Sequence, residues 1–319
     1  MQNANKKIGI LVATFNGETF LGAQLDSLLN QTHKNILILI RDDRSTDRTC
    51  SILRSYEDNY PDKIKVVDAE QGTLGASGNF SFLLTYGINF QIEFKIDYFA
   101  FCDQDDIWDS KKLEKQLGSM ISIESESKTK KSLPVLIHSD LEVVNEKAER
   151  ISSSLISYQG LEISKNNFSG LLTSNLVTGC TAMFNPALAE LAMPIPGDAL
   201  MHDWWIAIVA SAFGKIGFVD EALVKYRQHA VNTIGAKKKP SQKRSQFNKV
   251  MEILFLLRSV EISTHLYSVA EQSKVFQQRY NNELTQRLRV VLRLSSWMKT
   301  NSGLLQYLIY RLLRRINIG

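Results

Sequence analysis

The feature that most constrains the fold of this chain is a series of short apolar runs that alternate with segments of helical periodicity. The first run extends from Ile8 to Ala13, and Leu21, Leu25 and Leu28 follow it at the spacing of one helix face. Similar runs occupy residues 36–40, 64–67, 98–102 and 133–138. Apolar runs of this length are typical of strands buried on both faces. We therefore predict an α/β fold with a Rossmann-like, mostly parallel sheet and helices on both of its faces.

Charge is unevenly distributed along the 319 residues. From Lys237 onward there are 16 Lys or Arg residues and four acidic residues, whereas the preceding part has 22 basic and 29 acidic residues. A polar, basic stretch from Lys237 to Arg244 marks the change, and helical periodicity continues beyond it. The sequence thus predicts an α/β domain over residues 1–236 and a basic helical region over residues 237–319.

Three separated cysteines and the lack of a CxxC pair favour a reducing compartment. The apolar run after the N-terminus is too short for a signal-peptide core, and no apolar stretch has the roughly 18 residues of a membrane span. Residues 303–316 mix leucine, isoleucine and tyrosine with three arginines. This stretch predicts either a helix packed on the protein or an interfacial membrane helix. We expect a cytoplasmic protein, with peripheral binding to the inner face of the plasma membrane in the second case.

The strongest chemical signal is a group of three carboxylates, Asp103, Asp105 and Asp106, at the end of a predicted strand. Such a group repels itself unless a cation or several hydrogen-bond donors compensate it. Hard oxygen ligands favour Mg²⁺ or Mn²⁺ over zinc. The alternative is a solvated acidic loop that caps the next helix. An EF-hand is excluded because its glycine and closing glutamate are missing at the required offsets.

Two further polar turns follow predicted strands. Asp42 and Asp43 end the second strand, and a carboxylate there can accept a hydrogen bond from a base or a ribose; Asp47 is interpreted as a helix cap. The turn at Thr14 and Asn16 follows the first strand and is weak by itself. Because ligands bind beyond the carboxyl ends of parallel strands, all these clusters are expected at one edge of the sheet.

In combination, three segments resemble the large family of inverting glycosyltransferases with the GT-A fold. They are Thr-Phe-Asn-Gly at 14–17, Asp-Asp-Arg-Ser-Thr-Asp at 42–47 and Asp-Gln-Asp-Asp-Ile-Trp at 103–108. The last is similar to a subgroup that contains many bacterial rhamnosyltransferases. The resemblance covers about residues 8–235, and the chain departs from it at Arg44, where the family usually has glycine.

The resemblance implies nucleotide-binding roles for Thr14, Asn16, Asp43, Asn79 and Asp103. Thr14 and Asp43 would contact the base, and Asp103 would approach the ribose. Asp105 would bind Mn²⁺ or Mg²⁺ on the diphosphate.

An acidic residue at the position of Asp203 serves in the family as the catalytic base. It would take a proton from the acceptor hydroxyl. Helix capping by Asp203 is the alternative, and Trp204 is interpreted as core or as a ring face for a sugar. Arg227 and His229 resemble diphosphate or metal partners. Asp106 and Gly179 are weaker candidates at the diphosphate or on the acceptor side.

The expected activity is transfer of a sugar to a saccharide or lipid-linked acceptor in cell-surface polysaccharide synthesis. The donor expected first is dTDP-rhamnose, and otherwise a UDP-hexose. Alternatives are a sugar-1-phosphate nucleotidyltransferase, which lacks its basic N-terminal loop here, and a non-catalytic nucleotide-sugar-binding protein. A nucleic-acid-binding role is disfavoured, because no recognised motif is present and the front of the chain is acidic.

Overall fold

A computed structural model describes residues 5–68, 72–126, 132–229, 235–236, 260–300, 302–316 and 318. The described strands are β1 (Ile8–Thr14), β2 (Ile36–Asp42), β3 (Ile64–Val66), β4 (Tyr98–Cys102), β5 (Ile107–Trp108), β6 (Val135–Val144), β7 (Arg150–Ser152), β8 (Met183–Phe184) and β9 (Lys215–Arg227). The described α-helices before the C-terminal region are α1 (Leu21–Leu29), α2 (Thr49–Asn59), α3 (Gly75–Asn89), α4 (Gln91–Phe94), α5 (Lys112–Ser125), α6 (Leu155–Gln159), α7 (Phe168–Thr173), α8 (Pro186–Ala192) and α9 (His202–Phe213). Beyond residue 259 the described helices are α10 (Val260–Arg279), α11 (Gln286–Ser296) and α12 (Gly303–Leu313).

The strands form one sheet in the order β3-β2-β1-β4-β8-β6-β9-β5, with β7 added beside β6. Strands β3, β2, β1 and β4 pair in parallel, as do β6 and β9. The short strands β5, β7 and β8 pair antiparallel with their neighbours. The predicted α/β fold is confirmed. Its parallel part places the carboxyl ends of β1, β2 and β4 side by side.

The parallel strands lie in the core of the sheet because their side chains are apolar on both faces. Ile10, Leu11, Ile38, Leu39 and Phe101 are all fully buried. Burial of such side chains contributes about 1.5–3 kcal/mol each. This rigid centre fixes the directions in which the polar turns leave the sheet.

Polar residues near two helix starts show how these turns are shaped. Helix α2 begins at Thr49, and the carboxylate of Asp47 accepts the Thr49 N–H at 2.9 Å. Helix α5 begins at Lys112, three residues after Asp109, whose side chain accepts the Lys111 N–H at 2.8 Å. Both carboxylates stabilise a helix start from just outside it, as expected where the first N–H groups lack partners in the helix.

The chain divides into two compact units. The first comprises Met1–Leu161, Val177–Ile195 and Met201–Lys237, and the second comprises Glu162–Leu176, Pro196–Leu200 and Lys238–Gly319. Nothing in the sequence predicts that residues 162–176 and 196–200 belong to the same unit as the C-terminal helices. The predicted boundary between residues 236 and 237 stays a prediction, and the basic stretch 237–244 lies outside the described residues.

The second unit has its own helical core. Phe276 of α10 packs against Phe168 of α7, with ring centroids 5.5 Å apart, and against Tyr280 at 4.7 Å. Ile309 and Leu313 on one face of α12 are also buried. Among the described residues, none of the helices combines the length and apolar character needed to cross a membrane.

Candidate active site

Residues 103–106, which include the acidic residues Asp103, Asp105 and Asp106, link β4 to β5 at the carboxyl end of the parallel strands. The end of β9 holds them there: the Arg227 N–H donates to Oδ1 of Asp106 at 3.1 Å, and Arg227 Nε donates to the Asp105 carbonyl at 2.9 Å. The Arg227 guanidinium also donates to the Glu146 carbonyl and lies 4.6 Å from the centre of the Phe20 ring. Arg227 is thus a buried support of the acidic residues.

Burial and the neighbouring carboxylates favour the protonated forms of Asp103 and Asp106. Burial and then the charges of Asp105 and Asp203 raise the pKa of Asp103 to about 8. Burial, followed by the charges of Asp105 and Asp103, raises the pKa of Asp106 well above its usual range. Oδ2 of Asp106 is buried, and the hydrogen-bonding groups that act on this carboxyl are the Cys180 thiol and the Arg227 N–H. Such a site is unfavourable for anions alone and suits a cation.

Two sets of atoms in this region fit a divalent cation. Oδ2 of Asp105 lies 2.7 Å from Nε2 of His229, so these two side chains are adjacent, and their role as metal ligands stays a prediction. Asp103, Asp106 and Cys180 offer a second group, with ligand atoms within 4.8 Å of one another. Oxygen ligands dominate, as Mg²⁺ and Mn²⁺ prefer. The sequence has no cysteine spacing that would mark Cys180 as a metal ligand.

The turn after β1 is closely tied to the turn after β2. The Thr14 hydroxyl donates to Oδ1 of Asp42 at 2.9 Å, and Oδ1 of Asn16 accepts the Thr46 N–H at 2.8 Å. The Asn16 N–H donates to the Ser45 hydroxyl at 2.7 Å. Asn16 has a φ of 47°, a conformation that asparagine tolerates better than most residues. Thr14 and Asn16 therefore shape this edge of the sheet, and their contact with a nucleotide stays a prediction.

Asp43 and Asn79 lie in a buried cluster around Arg41. The Asp43 carboxylate accepts from Arg41 at 2.8 Å and from the N–H groups of Leu74 and Gly75 at 2.8 Å each. Asn79 accepts from Arg41 at 3.1 Å and donates to the Arg41 carbonyl at 3.1 Å. The observed role of Asp43 is to fasten the start of α3 to the sheet. A role at the base, which the resemblance implies, is not tested by these contacts.

Asp203 lies in the first turn of α9 and is 8% exposed. Its Oδ2 accepts the Gly179 N–H at 2.9 Å, and its Oδ1 accepts the Trp204 N–H at 2.6 Å. Met201 occupies the N-cap position, so Asp203 is not the N-cap residue, although its carboxylate does accept a backbone N–H of the first turn. A Cβ at Gly179 would lie 3.0 Å from Nε2 of His202 and 3.5 Å from Oδ2 of Asp203, which explains the glycine there.

The turn Gly179–Thr181 connects Asp203 to the acidic residues. Gly179 binds the Asp203 carboxylate, while the neighbouring Cys180 lies against Asp103 and Asp106. Trp204 is buried at 6% exposure, which favours packing over a ring face open to a sugar. Of the predicted site residues, Asp103, Asp105, Asp106, Gly179, Asp203, Arg227 and His229 come together here. Asp43 and Asn79 form the separate cluster at the start of α3.

Gln104 is a structural member of the site that the sequence reasoning missed. Its Oε1 accepts the Phe15 N–H at 2.8 Å, and its Nε2 donates to the Phe15 carbonyl at 2.9 Å. One amide thus fastens the turn after β1 to the acidic residues. A Cβ at Gly17 would come within 2.4 Å of Oε1, so this contact requires glycine at 17. A single glutamine between two aspartates is not a pattern from which this role can be predicted.

Comparison with known proteins agrees with this geometry. The model of the family described as Glycosyl transferase family 2 matches residues 9–126. The uncharacterised glycosyltransferase alr2836 of Nostoc sp. is 30% identical over 239 residues, which are 71% of this chain and 66% of that protein. The dTDP-rhamnosyl transferase RfbG of Shigella flexneri is 27% identical over 242 residues, 70% of this chain and 74% of that protein.

A solved structure supports the fold. The TarS 1–349 structure from S. aureus, in complex with UDP-GlcNAc, aligns with a TM-score of 0.52 at 16% identity and covers 97% of this chain and 90% of that chain. The predicted GT-A architecture is confirmed by this likeness. The chain belongs to glycosyltransferase family 2. The matched region spans 66% and 65% of the Nostoc protein and of an uncharacterised Rickettsia typhi glycosyltransferase.

The raised pKa of Asp103 predicts how stability depends on pH in a chelated sample. Its folded value of about 8 exceeds the ordinary 3.8, so the folded chain binds more protons than the unfolded chain between these values. Stability is therefore lost as pH rises through this window. Urea unfolding at several pH values should show a falling free energy of unfolding. Asp103→Asn should flatten the profile, and an unchanged slope in that variant would contradict the assignment.

Proposed function

We propose that this protein is an inverting glycosyltransferase that moves a sugar from a nucleoside diphosphate to an acceptor hydroxyl. The observation that carries the proposal is the turn Gly179–Thr181, which joins Asp203 to the acidic residues at the carboxyl edge of the sheet. The members of the family to which the chain belongs are named as glycosyltransferases. The site contains one carboxylate, Asp203, that can accept a proton, and a separate group of acidic residues that can bind a cation.

In the proposed reaction Asp203 is the general base. Its carboxylate takes the proton of the acceptor hydroxyl while that oxygen forms a bond to the anomeric carbon. The bond from this carbon to the diphosphate oxygen breaks, and its electron pair leaves with the nucleoside diphosphate. The N–H groups of Gly179 and Trp204 stabilise the ionised carboxylate before it takes the proton. Displacement from the opposite face, without a covalent intermediate, inverts the sugar carbon.

Asp105 and His229 are the residues we assign to hold Mn²⁺ or Mg²⁺, with Asp103 and Asp106 nearby. When bound, such an ion neutralises charge on the leaving diphosphate. Arg227 holds the acidic residues in place through its bonds to Asp105 and Asp106. The buried cluster of Arg41, Asp43 and Asn79, with Thr14 and Asn16, is assigned to the nucleotide side.

The donor is proposed to be dTDP-rhamnose, with a UDP-hexose as the second candidate. RfbG is named as a dTDP-rhamnosyl transferase, and a relative from Escherichia coli, 32% identical over 114 residues, is named as a UDP-Glc-dependent glucosyltransferase, WfgD. The acceptor proposed is a saccharide or a lipid-linked saccharide of the cell envelope. A thermal-shift panel of dTDP-rhamnose, UDP-glucose, UDP-GlcNAc and GDP-mannose with Mn²⁺ separates the donors, because a ligand of the folded state raises its stability.

Donor hydrolysis tests the activity without a known acceptor, since water can take the place of the hydroxyl. Release of nucleoside diphosphate should occur with Mn²⁺ and stop with chelator. A chain that binds donors but never releases nucleoside diphosphate would be a non-catalytic binding protein. Formation of nucleotide sugar from a nucleoside triphosphate and a sugar-1-phosphate would instead identify a nucleotidyltransferase.

Asp105→Asn should abolish Mn²⁺-dependent binding of nucleoside diphosphate while the fold is kept, because the amide removes the charge that lies 2.7 Å from His229. Calorimetric titration of dTDP and UDP with Mn²⁺ measures this. Asp109→Asn is the matched control, since Asp109 is an exposed acid close by in the sequence. Wild-type affinity in Asp105→Asn would contradict the assignment of Asp105 to the metal.

Asp203→Asn should lower turnover by roughly 10²–10⁴-fold, the usual contribution of a general base. Donor affinity should stay close to wild type, because the base acts on the acceptor. The amide keeps an oxygen that accepts a hydrogen bond but does not take the proton. Turnover, donor affinity and melting temperature are measured on the same sample. Near-native turnover in a stable variant would remove Asp203 from the mechanism.

The second unit is proposed to bind an anionic membrane surface. Leu304, Leu305, Leu308 and Leu312 on one face of α12 are 43–54% exposed, and Arg311 is exposed beside them. The opposite face of the helix, with Ile309 and Leu313, is buried within the unit. Exposed leucines next to arginine favour insertion at the level of acidic headgroups. Such binding would bring the enzyme to a lipid-linked acceptor.

Replacing Leu304, Leu308 and Leu312 together by serine should weaken binding to vesicles that contain phosphatidylglycerol by about tenfold or more. Each leucine transferred from water contributes up to about 1.5–3 kcal/mol, and 1.4 kcal/mol is a factor of ten. Co-sedimentation measures the loss, and neutral vesicles should bind less in every case. Ile92→Ser is the control, since Ile92 is 92% exposed in the first unit. Equal co-sedimentation of the triple variant and wild type would contradict the proposal.

A further inference from the structure

Lys112 and Gln116, one turn apart on α5, are both fully buried although they are polar. Nothing in the proposed chemistry uses them. A buried ammonium is unfavourable unless it has close partners. The contacts of Lys112 and Gln116 therefore indicate their role.

Each of the two side chains has a specific partner on a segment of the site. The Lys112 ammonium lies 3.6 Å from the centre of the Trp108 ring, just after the acidic residues, and donates to Oε1 of Gln116 at 2.9 Å. Nε2 of Gln116 donates to the Thr181 carbonyl at 2.5 Å. The Thr181 carbonyl only accepts, so it faces the amide nitrogen of Gln116, and Oε1 is left to accept from Lys112.

Thr181 closes the turn that orients Asp203. The Thr181 N–H donates to the Thr178 carbonyl at 2.9 Å, and the Gly179 N–H donates to Oδ2 of Asp203 at 2.9 Å. The turn is short, so a shift of the Thr181 carbonyl moves the Gly179 N–H with it. A continuous set of contacts thus runs from Trp108 through Lys112, Gln116 and the turn to Asp203.

We propose that Lys112 and Gln116 are positioning residues for the general base, acting on Asp203 through the turn Gly179–Thr181. They set the direction of the Gly179 N–H and, through it, the carboxylate that faces the acceptor. This inference rests on the proposed function, in which Asp203 takes the proton. The plain alternative is that the pair only fills the core and contributes stability.

Gln116→Met and Lys112→Met remove the polar contacts and keep most of the side-chain volume. Gln24→Met is the matched control: Gln24 is also a fully buried helical glutamine, but its amide donates to Sγ of Cys102 at 3.0 Å and not to the turn. Hydrolysis of dTDP-rhamnose and of UDP-glucose with Mn²⁺ is measured for each variant. We expect kcat to fall roughly 10- to 100-fold in the first two, the range for a displacement of about 1 Å, with KM near wild type. Gln24→Met should keep wild-type kcat per folded molecule.

The same substitutions in an Asp203→Asn background decide whether the effect passes through the base. If Gln116 acts on Asp203, Gln116→Met should cost less than about twofold in that background, because the group it orients is already inactive. Equal losses in both backgrounds would show a general structural effect and overturn the proposal.

Amide hydrogen exchange gives a readout that does not need activity. Gln116→Met should speed exchange in a peptide covering residues 177–184 relative to Gln24→Met, since the turn loses its anchor. Unchanged exchange there would overturn the proposal. If wild-type protein hydrolyses neither nucleotide sugar, the proposed function fails, and the exchange data still decide whether Gln116 holds the turn.

Discussion

The mutual repulsion of carboxylates at the edge of the sheet is the constraint around which this site is built. Asp103, Asp105 and Asp106 share one turn, and the charge of Asp203 also acts on Asp103. The fold offsets this with hydrogen bonds from Arg227 and with a histidine on Asp105. Burial and, after it, the remaining repulsion raise the pKa of Asp103 and that of Asp106. The remaining need for positive charge is what makes the region suitable for a cation.

The fold was largely predictable because its long parallel strands coincide with apolar runs in the sequence. The runs at residues 8–13, 36–40 and 98–102 coincide with β1, β2 and β4. Burial on both faces leaves little choice of secondary structure for such segments. The antiparallel strands β5 and β8 are only two residues long, so they carry no period that sequence reasoning detects. Assignment of residues 162–176 to the second unit depends on tertiary packing and had no local signal either.

The candidate site was predictable in part. Aspartates at strand ends are recognisable in the sequence, and the topology of a parallel sheet places them at one edge. The contacts of Asp43 were not predictable, because its three hydrogen-bond donors come from Arg41 and from backbone N–H groups that become neighbours only after folding. Gln104 and Gln116 were missed for the same reason: a single amide has no spacing rule, and its importance lies in the two groups that it joins.

The pairs that complete the acidic region are far apart along the chain. Arg227 is 121 residues from Asp106, and His229 is 124 residues from Asp105. Closing such long loops is slow compared with forming local structure. A chain emerging from the ribosome would therefore form β1 to β4 well before it could assemble the supported acidic turn. The active site would therefore be assembled late in synthesis. Until β9 pairs with β6, the incomplete chain would carry acidic side chains that lack the support of Arg227.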